Sequence, residues 1–294
     1  TRPLRAGARS VRSLRANLAF RLRQSAGLLR RTLRSLRQRG IAGTLRRARE
    51  WLGRGAPTAA LVAPEVPALD QPFAPFAVPA SDAPRVSIVI PVYNHFRHTL
   101  TCLRSLAAHP GTLPFEVIVV DDESADETPQ RLAEIGGIRV HRNARNLGFI
   151  GACNAGASLA RGEFVAFLNN DTAVTEGWLE ALVGTFDQRP DCGLAGAKLV
   201  YPDGRLQEAG GIVFSDGAHE YLREADYCSG AAIILRRELF ARLGGFDAHY
   251  APAYYEDTDL AFKVRAAGLK VDYQPAATVV HFEGVSSGTD TTSG

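Results

Sequence analysis

Three clusters of polar side chains stand where apolar runs stop. Asp121-Asp122 follows "FEVIVV", Asn169-Asn170-Asp171 follows "EFVAFL", and Glu256-Asp257, with Asp259 close behind, opens "EDTDLAFKVRAAG". A histidine, His281, closes "TVV". A carboxylate beside amide oxygens is a hard-donor set suited to Mg2+ or Mn2+, ions that usually keep substrate phosphates among their ligands. A carboxylate held at a helix start is rigidly aimed, as a general base must be. Plainer readings stand beside each. Aspartates between strand and helix start turns and cap helices. Asn-Asn-Asp is turn chemistry. Acids in a first helical turn complement the helix dipole, and a lone histidine after an apolar strand suits a core or capping role.

The elements that must position these groups alternate between strand and helix after Arg85. "VSIVI" (86–90) predicts a strand stopped by Pro91, and 97–109 a helix. "FEVIVV" is a second strand, after which Ser124 and Glu127 have capping-box spacing for a helix over "DETPQRLAEIG". "IRVHR" is a third strand, "FIGACNAGASLARG" a helix closed by Gly162, and "EFVAFL" a fourth strand. In the helix that begins with Glu256, the residues Leu260, Val264 and Ala267 form a docking face. Continuous apolar strands with helical crossovers mean a mostly parallel sheet covered on both faces. Ligands of such sheets bind beyond the carboxyl ends of the strands, the edge that carries Asp121, Asp122, Asn169, Asn170 and Asp171.

The 294 residues suffice for one large domain with an appendage, and 46% hydrophobic against 22% charged residues is ordinary globular composition. Cys102, Cys153, Cys192 and Cys228 have neither metal-ligand nor redox spacing, and scattered thiols suit a reducing compartment. No run approaches the ~20 apolar residues of a membrane span, and no signal-peptide core opens the chain. The chain has no methionine, so both ends are treated as cut.

The net charge of +3 conceals two unlike pieces: residues 1–55 hold sixteen arginines against Glu50 alone, so the remainder is strongly acidic. In that basic piece Val11, Leu14, Leu18, Leu22, Leu29, Leu33 and Leu36 fall near one helical face. Such a helix suits an anionic membrane surface or a partner domain. Nucleic acid is disfavoured, because no recognised nucleic-acid-binding fold accompanies the charge. Residues 56–84 carry seven of the sixteen prolines and read as an extended linker, leaving 85–294 as the folded domain.

Taken in order, "VSIVIPVYN", "FEVIVVDDESADET", "NLGFIGACNAG", "GEFVAFLNNDTAV", "GGFDAHYAPAYYEDTDLAFKVRAAG" and "VVHFEG" strongly resemble the family 2 glycosyltransferases. The last two blocks and "DYCSGAAIILRRELF" are similar to bacterial O-antigen and rhamnan-type members. The resemblance covers about residues 85 to 290. It implies a GT-A fold, a Rossmann-like α/β sheet flanked by helices, that binds a nucleotide-sugar donor and inverts its anomeric carbon. On that pattern Pro91 and Tyr93 line the nucleotide pocket, and Asp122 reads the base with Asp121 beside it. Asn169-Asn170-Asp171 matches the metal-binding D-x-D stretch. Only Asp171 keeps the carboxylate, Asn169 offers an amide oxygen as a weaker ligand, and Asn170 is assigned to the donor. His281 matches a further metal ligand and Asp257 the catalytic base, with Glu256 and Asp259 as neighbours that steer the acceptor. The implied cofactor is Mg2+ or Mn2+, and the implied acceptor a glycan or lipid-linked glycan of a bacterial surface polysaccharide. From resemblance alone the donor is dTDP-rhamnose, and the site of action is the cytoplasmic face of the inner membrane, with the protein peripheral to it. Relatives usually carry a longer polar loop where "AHE" joins "GGIVFSDG" to "YLREADYCSG", and they usually continue past "SSGTDTTSG", so a following domain is expected.

Two other readings stay open. A sugar-phosphate nucleotidyltransferase shares a similar sheet, but predicts a glycine-rich basic loop after the first strand, where "PVYNHF" has no glycine. A non-catalytic scaffold is opposed by the joint presence of Asp122, Asp171, Asp257 and His281. A dehydrogenase is disfavoured because no G-x-G-x-x-G follows the first strand.

Overall fold

In the computed structural model, which describes residues 63–211, 224–251 and 254–282, the expected strands pair side by side. β1 (Val86–Val92) lies between β2 (Phe115–Asp121) and β4 (Phe164–Leu168), and β3 (Ile138–Arg142) pairs with β2, all parallel. Every residue of β1, β2 and β4 is buried, as continuous apolar runs require when both faces are covered. β1 continues through Pro91 instead of stopping there. The ladder to β4 has already ended at Val89, so one side of β1 needs no further N–H.

Past β4 the sheet becomes mixed. β9 (Ala232–Arg236) runs antiparallel between β4 and β6 (Cys192–Val200), and β6 is parallel to β10 (Lys270–His281). The short β5 (Thr172–Val174) and β8 (Glu224–Ala225) pair antiparallel with β10, and β7 (Leu206–Glu208) pairs antiparallel with β6. The order across the sheet is β3-β2-β1-β4-β9-β6-β10-β5.

Alternate residues face opposite layers. Ile88, Ile90, Val117, Val119, Phe164 and Ala166 pack under α1 (Phe96–Ala108) and α4 (Trp178–Gln188). Val89, Ile118, Val120, Val165 and Phe167 meet α3 (Gly148–Ser158), α5 (Arg237–Arg242) and α6 (Glu256–Ala266). Phe167, Phe240 and Phe246 form an aromatic triad with centroids 4.9 to 5.4 Å apart.

Three local expectations change. The helix α2 (Thr128–Leu132) has no capping box. Asp126 Oδ1 accepts the Thr128 N–H, while Ser124 Oγ accepts from the Asn94 amide and ties the loop after β1 to the loop after β2. α3 ends at Ser158, and Gly162 serves a different need: a Cβ there would lie 2.7 Å from the Ser87 nitrogen. On α6 the buried face is Leu260, Ala261 and Val264, whereas Ala267 is exposed.

Residues 63–84 carry no helix or paired strand beyond an isolated bridge, yet they lie on the domain. Val78 is in the core, and Phe73 packs edge-on against Phe96. The expected basic helix (1–55), the short "AHE" link and the chain beyond Phe282 lie outside the described residues.

Candidate functional site

Because β1, β2 and β4 are parallel, Tyr93, Asp122 and Asn169 leave the sheet at one edge. β10 reaches the same edge by running alongside β5, with His281 opposite Thr172. This pairing sets His281 Nε2 3.4 Å from Asp171 Oδ1, both side chains being largely buried, and the Phe282 amide donates to the Asp171 carbonyl at 2.9 Å. His281 Nδ1 meets Gln207 Oε1 at 3.1 Å.

The Asn-Asn-Asp stretch divides its labour. It is a turn, closed by Thr172 Oγ1 donating to the Asn169 carbonyl at 2.6 Å. Asn170 is buried and donates to Thr99 Oγ1 of α1, an anchoring contact. Asn169 Oδ1 is buried with no protein partner, and Asp171 faces His281. His98 lies within reach of the Asp171 charge, which raises its pKa against the larger lowering effect of burial. Its ring packs on Phe282, 5.7 Å between centroids. Among the described residues no three His, Cys, Asp or Glu side chains form a metal-ligand cluster. The Asp171–His281 pair nonetheless offers donors that suit a divalent ion completed by phosphate oxygens, and the orphaned Asn169 oxygen is a further hard donor in the same turn as Asp171.

α6 aims the second group of acids. Tyr254 and Tyr255 precede it with φ of 82° and 71°, a left-handed conformation rare for bulky residues and typical of functional segments. Asp257 Oδ2 accepts the Gly230 N–H at 2.9 Å and Oδ1 accepts the Thr258 N–H at 2.6 Å, so the carboxylate is held from both sides. Asp259 pairs with Lys263 at 2.7 Å, one turn on. Glu256 is 7% exposed, with Oε2 lacking a partner, and burial pushes its carboxyl up to about 7.

At the end of β2, Asp121 is buried in an ion pair with Arg142 and accepts the Ser124 N–H. Asp122 accepts from Asn143 Nδ2 at 2.7 Å, from Leu147 N at 2.9 Å and from Gly148 N at 2.8 Å, holding the start of α3. The turn-and-cap alternative therefore describes the contacts both carboxylates make. Pro91 is buried and Tyr93 is 47% exposed. A groove of about 510 Å³ opens at the start of α1, lined by His95, Phe96, Arg97, His98, Asp126 and Glu127.

Sequence reasoning missed two residues, both on β7. Glu208 accepts the Ser229 N–H at 2.8 Å. Burial raises its pKa, Asp257 raises it further and His281 lowers it, so Glu208 lies within electrostatic range of both. Gln207 is the partner of His281. The available signal was a Gln-Glu pair followed closely by glycines in "GRLQEAGG", which resembles an exposed turn until its strand partner is known. Asp122 and Glu256 in turn both raise the pKa of the buried Cys153 thiol, after the larger effect of burial. Asp171 and His281 are thus in contact, Glu208 lies within electrostatic range of His281 and Asp257, and Cys153 within that of Glu256 and Asp122.

An α/β sheet of this order, with helices on both faces, is the GT-A fold. The same fold occurs in GalNAc-T7, whose crystal structure was determined with UDP, GalNAc and Mn2+; the TM-score is 0.55 at 19% identity, covering 68% of this chain and 44% of that one. The profile of glycosyl transferase family 2 matches residues 87–244, and the chain belongs to that family. It is 34% identical over 238 residues to the uncharacterized protein y4gI of Sinorhizobium fredii, covering 73% of this chain and 26% of the relative. It is 31% identical over 235 residues to the O-antigen biosynthesis protein RfbC of Myxococcus xanthus, covering 72% of this chain and 18% of the relative. The chain therefore spans about a quarter or less of the length of these curated relatives.

Proposed function

We propose that this chain is an inverting, metal-dependent glycosyltransferase that moves a sugar from a nucleotide-sugar donor to a glycan or lipid-linked glycan of a bacterial surface polysaccharide. The observation that carries the reading is the contact of Asp171 with His281 at the sheet edge, beside which Asp257 is anchored by Gly230 and Glu208 lies within electrostatic range of both His281 and Asp257. In this reading Asp171 and His281, with Asn169, hold Mg2+ or Mn2+. A divalent cation bound there supplies neutralisation of the departing diphosphate. Pro91, Tyr93, Asp121, Asp122 and Asn170 build the nucleotide side, Asp122 by fixing Leu147 and Gly148 as well as by facing the base. Asp257 accepts the proton of the attacking hydroxyl, which is a poor nucleophile until it loses that proton. A base on the ring face opposite the leaving group requires direct displacement, hence inversion. Glu256 and Asp259 flank the base and orient the acceptor.

The name of RfbC supports an O-antigen-type acceptor, and resemblance supports dTDP-rhamnose as donor. No helix among the described residues is long and apolar enough to cross a membrane. A lipid-linked acceptor would bring the enzyme to the cytoplasmic membrane face, with residues 1–55 as the contact to anionic lipid or to a partner domain.

The test is a panel of UDP-, GDP- and dTDP-sugars, each with Mn2+, Mg2+ or EDTA, read by release of nucleoside diphosphate and by the anomeric configuration of the product. One donor should stand out, lose turnover in EDTA and give the inverted anomer. Pyrophosphate release would instead assign nucleotidyl transfer, and a retained anomer would exclude Asp257 as a base acting in direct displacement.

A further inference from the structure

We infer that Gln207 is a positioning residue for the cation site, fixing the ring of His281 so that Nε2 is presented to the ion. The inference rests on the metal reading of His281 above. β7 carries a bulge: Leu199 pairs with Glu208 and Val200 with Leu206, which leaves Gln207 as the extra residue. Bulges re-aim single side chains and recur beside active sites. Here the re-aimed side chain reaches His281, placing its Oε1 3.1 Å from Nδ1.

With an amide oxygen as the acceptor, Nδ1 carries the imidazole proton and Nε2 presents its lone pair. That lone pair faces Asp171 Oδ1 across 3.4 Å. Two lone pairs opposed in a largely buried place repel unless a proton or a metal cation lies between them, and a divalent ion in that place would take both atoms as ligands. The contact therefore sets up a ligand pair. A hydrogen bond from the second ring nitrogen is also how metal-bound histidines are generally oriented, and losing it typically costs 10- to 100-fold in affinity. Gln207 is only half-buried and lies on a three-residue strand, so little else in the fold depends on its side chain.

The experiment titrates the full chain with Mn2+ alone, following the free-ion signal by electron paramagnetic resonance. His281→Ala should abolish the tight Mn2+ site. Gln207→Leu, which can neither accept nor donate, should weaken it about 10- to 100-fold, while Gln207→Glu, which keeps the acceptor, should restore it at least to wild type. Gln207→Leu combined with His281→Ala should lose no more than His281→Ala alone, the signature of two residues acting through one contact. Wild-type Mn2+ affinity in Gln207→Leu, with His281→Ala impaired, overturns the inference and spares the metal reading. Unchanged affinity in His281→Ala overturns both. Equal weakening in Gln207→Leu and Gln207→Glu assigns Gln207 to local packing and also overturns the inference.

Discussion

The backbone N–H of Gly230 donates to Oδ2 of Asp257 over 2.9 Å, so a residue just ahead of β9 holds the carboxylate that opens α6. Its neighbour Ser229 donates to Glu208 in the same way. Two successive amides thus tie one acid on β7 to another on α6, and the separation between Glu208 and Asp257 follows from backbone geometry more than from flexible side chains.

Asp257→Asn keeps an oxygen for the Gly230 amide but cannot take a proton at neutral pH. Turnover should fall about 100- to 10,000-fold, the usual worth of a positioned general base. Donor affinity, measured by calorimetry in Mn2+, should stay within about threefold of wild type. A parallel loss of donor binding would mean that Asp257 holds the structure and not the proton.

Asp171→Ala removes the carboxylate that His281 faces. Stabilisation of the protein by donor should lose its dependence on Mn2+, so the rise in melting temperature on adding both together should collapse to that seen in EDTA. Undiminished metal-dependent stabilisation would refute the ligand role.

Glu256 links stability to pH. Burial lifts its carboxyl from an ordinary 4.5 to about 7. The folded state therefore binds a proton between those values that the unfolded chain has released, and stability declines as pH rises through that window. The loss is complete above about pH 7. Glu256→Gln should remove the decline, matching wild type near pH 4.5 and exceeding it at pH 8 by about 1–3 kcal/mol. Urea denaturation of the two proteins at several pH values measures this; parallel stability profiles would disprove it.

Gly156 is where α3 approaches the sheet. A Cβ at this position would lie 2.4 Å from Val89 Cγ1 and 2.9 Å from Val120 Cγ2, both fully buried. Gly156→Ala should cost about 1–3 kcal/mol through overpacking, although alanine is the better helix former. Because the same helix is held by Asp122, donor affinity should fall with stability; a stabilised variant would show that the helix can shift outward freely.

Much of this was legible from residue order. "VSIVI", "FEVIVV" and "EFVAFL" are short, mostly β-branched or aromatic apolar runs that read as buried strands, and the polar residues that end them had to sit at one edge once the strands were parallel. What misled was local. Ser124 and Glu127 have capping-box spacing, yet Ser124 is drawn to the Asn94 amide by the neighbouring strand end. Ala267 has the spacing of a docking residue, but α6 ends at Ala266 and leaves Ala267 as its exposed cap, while Ala261 joins the buried face.

Chain order alone determined the strand-helix alternation and the polar ends of the strands, and it singled out Asp171, Asp257 and His281 as candidates, because burial periodicity and residue chemistry are local properties. The partners of those residues came from folding. That β9 enters antiparallel, that β10 lies beside β5 and that β7 bulges at Gln207 depend on which strands find each other across long stretches of chain. Hydrogen-bond register is a property of two strands together, and neither strand encodes it alone.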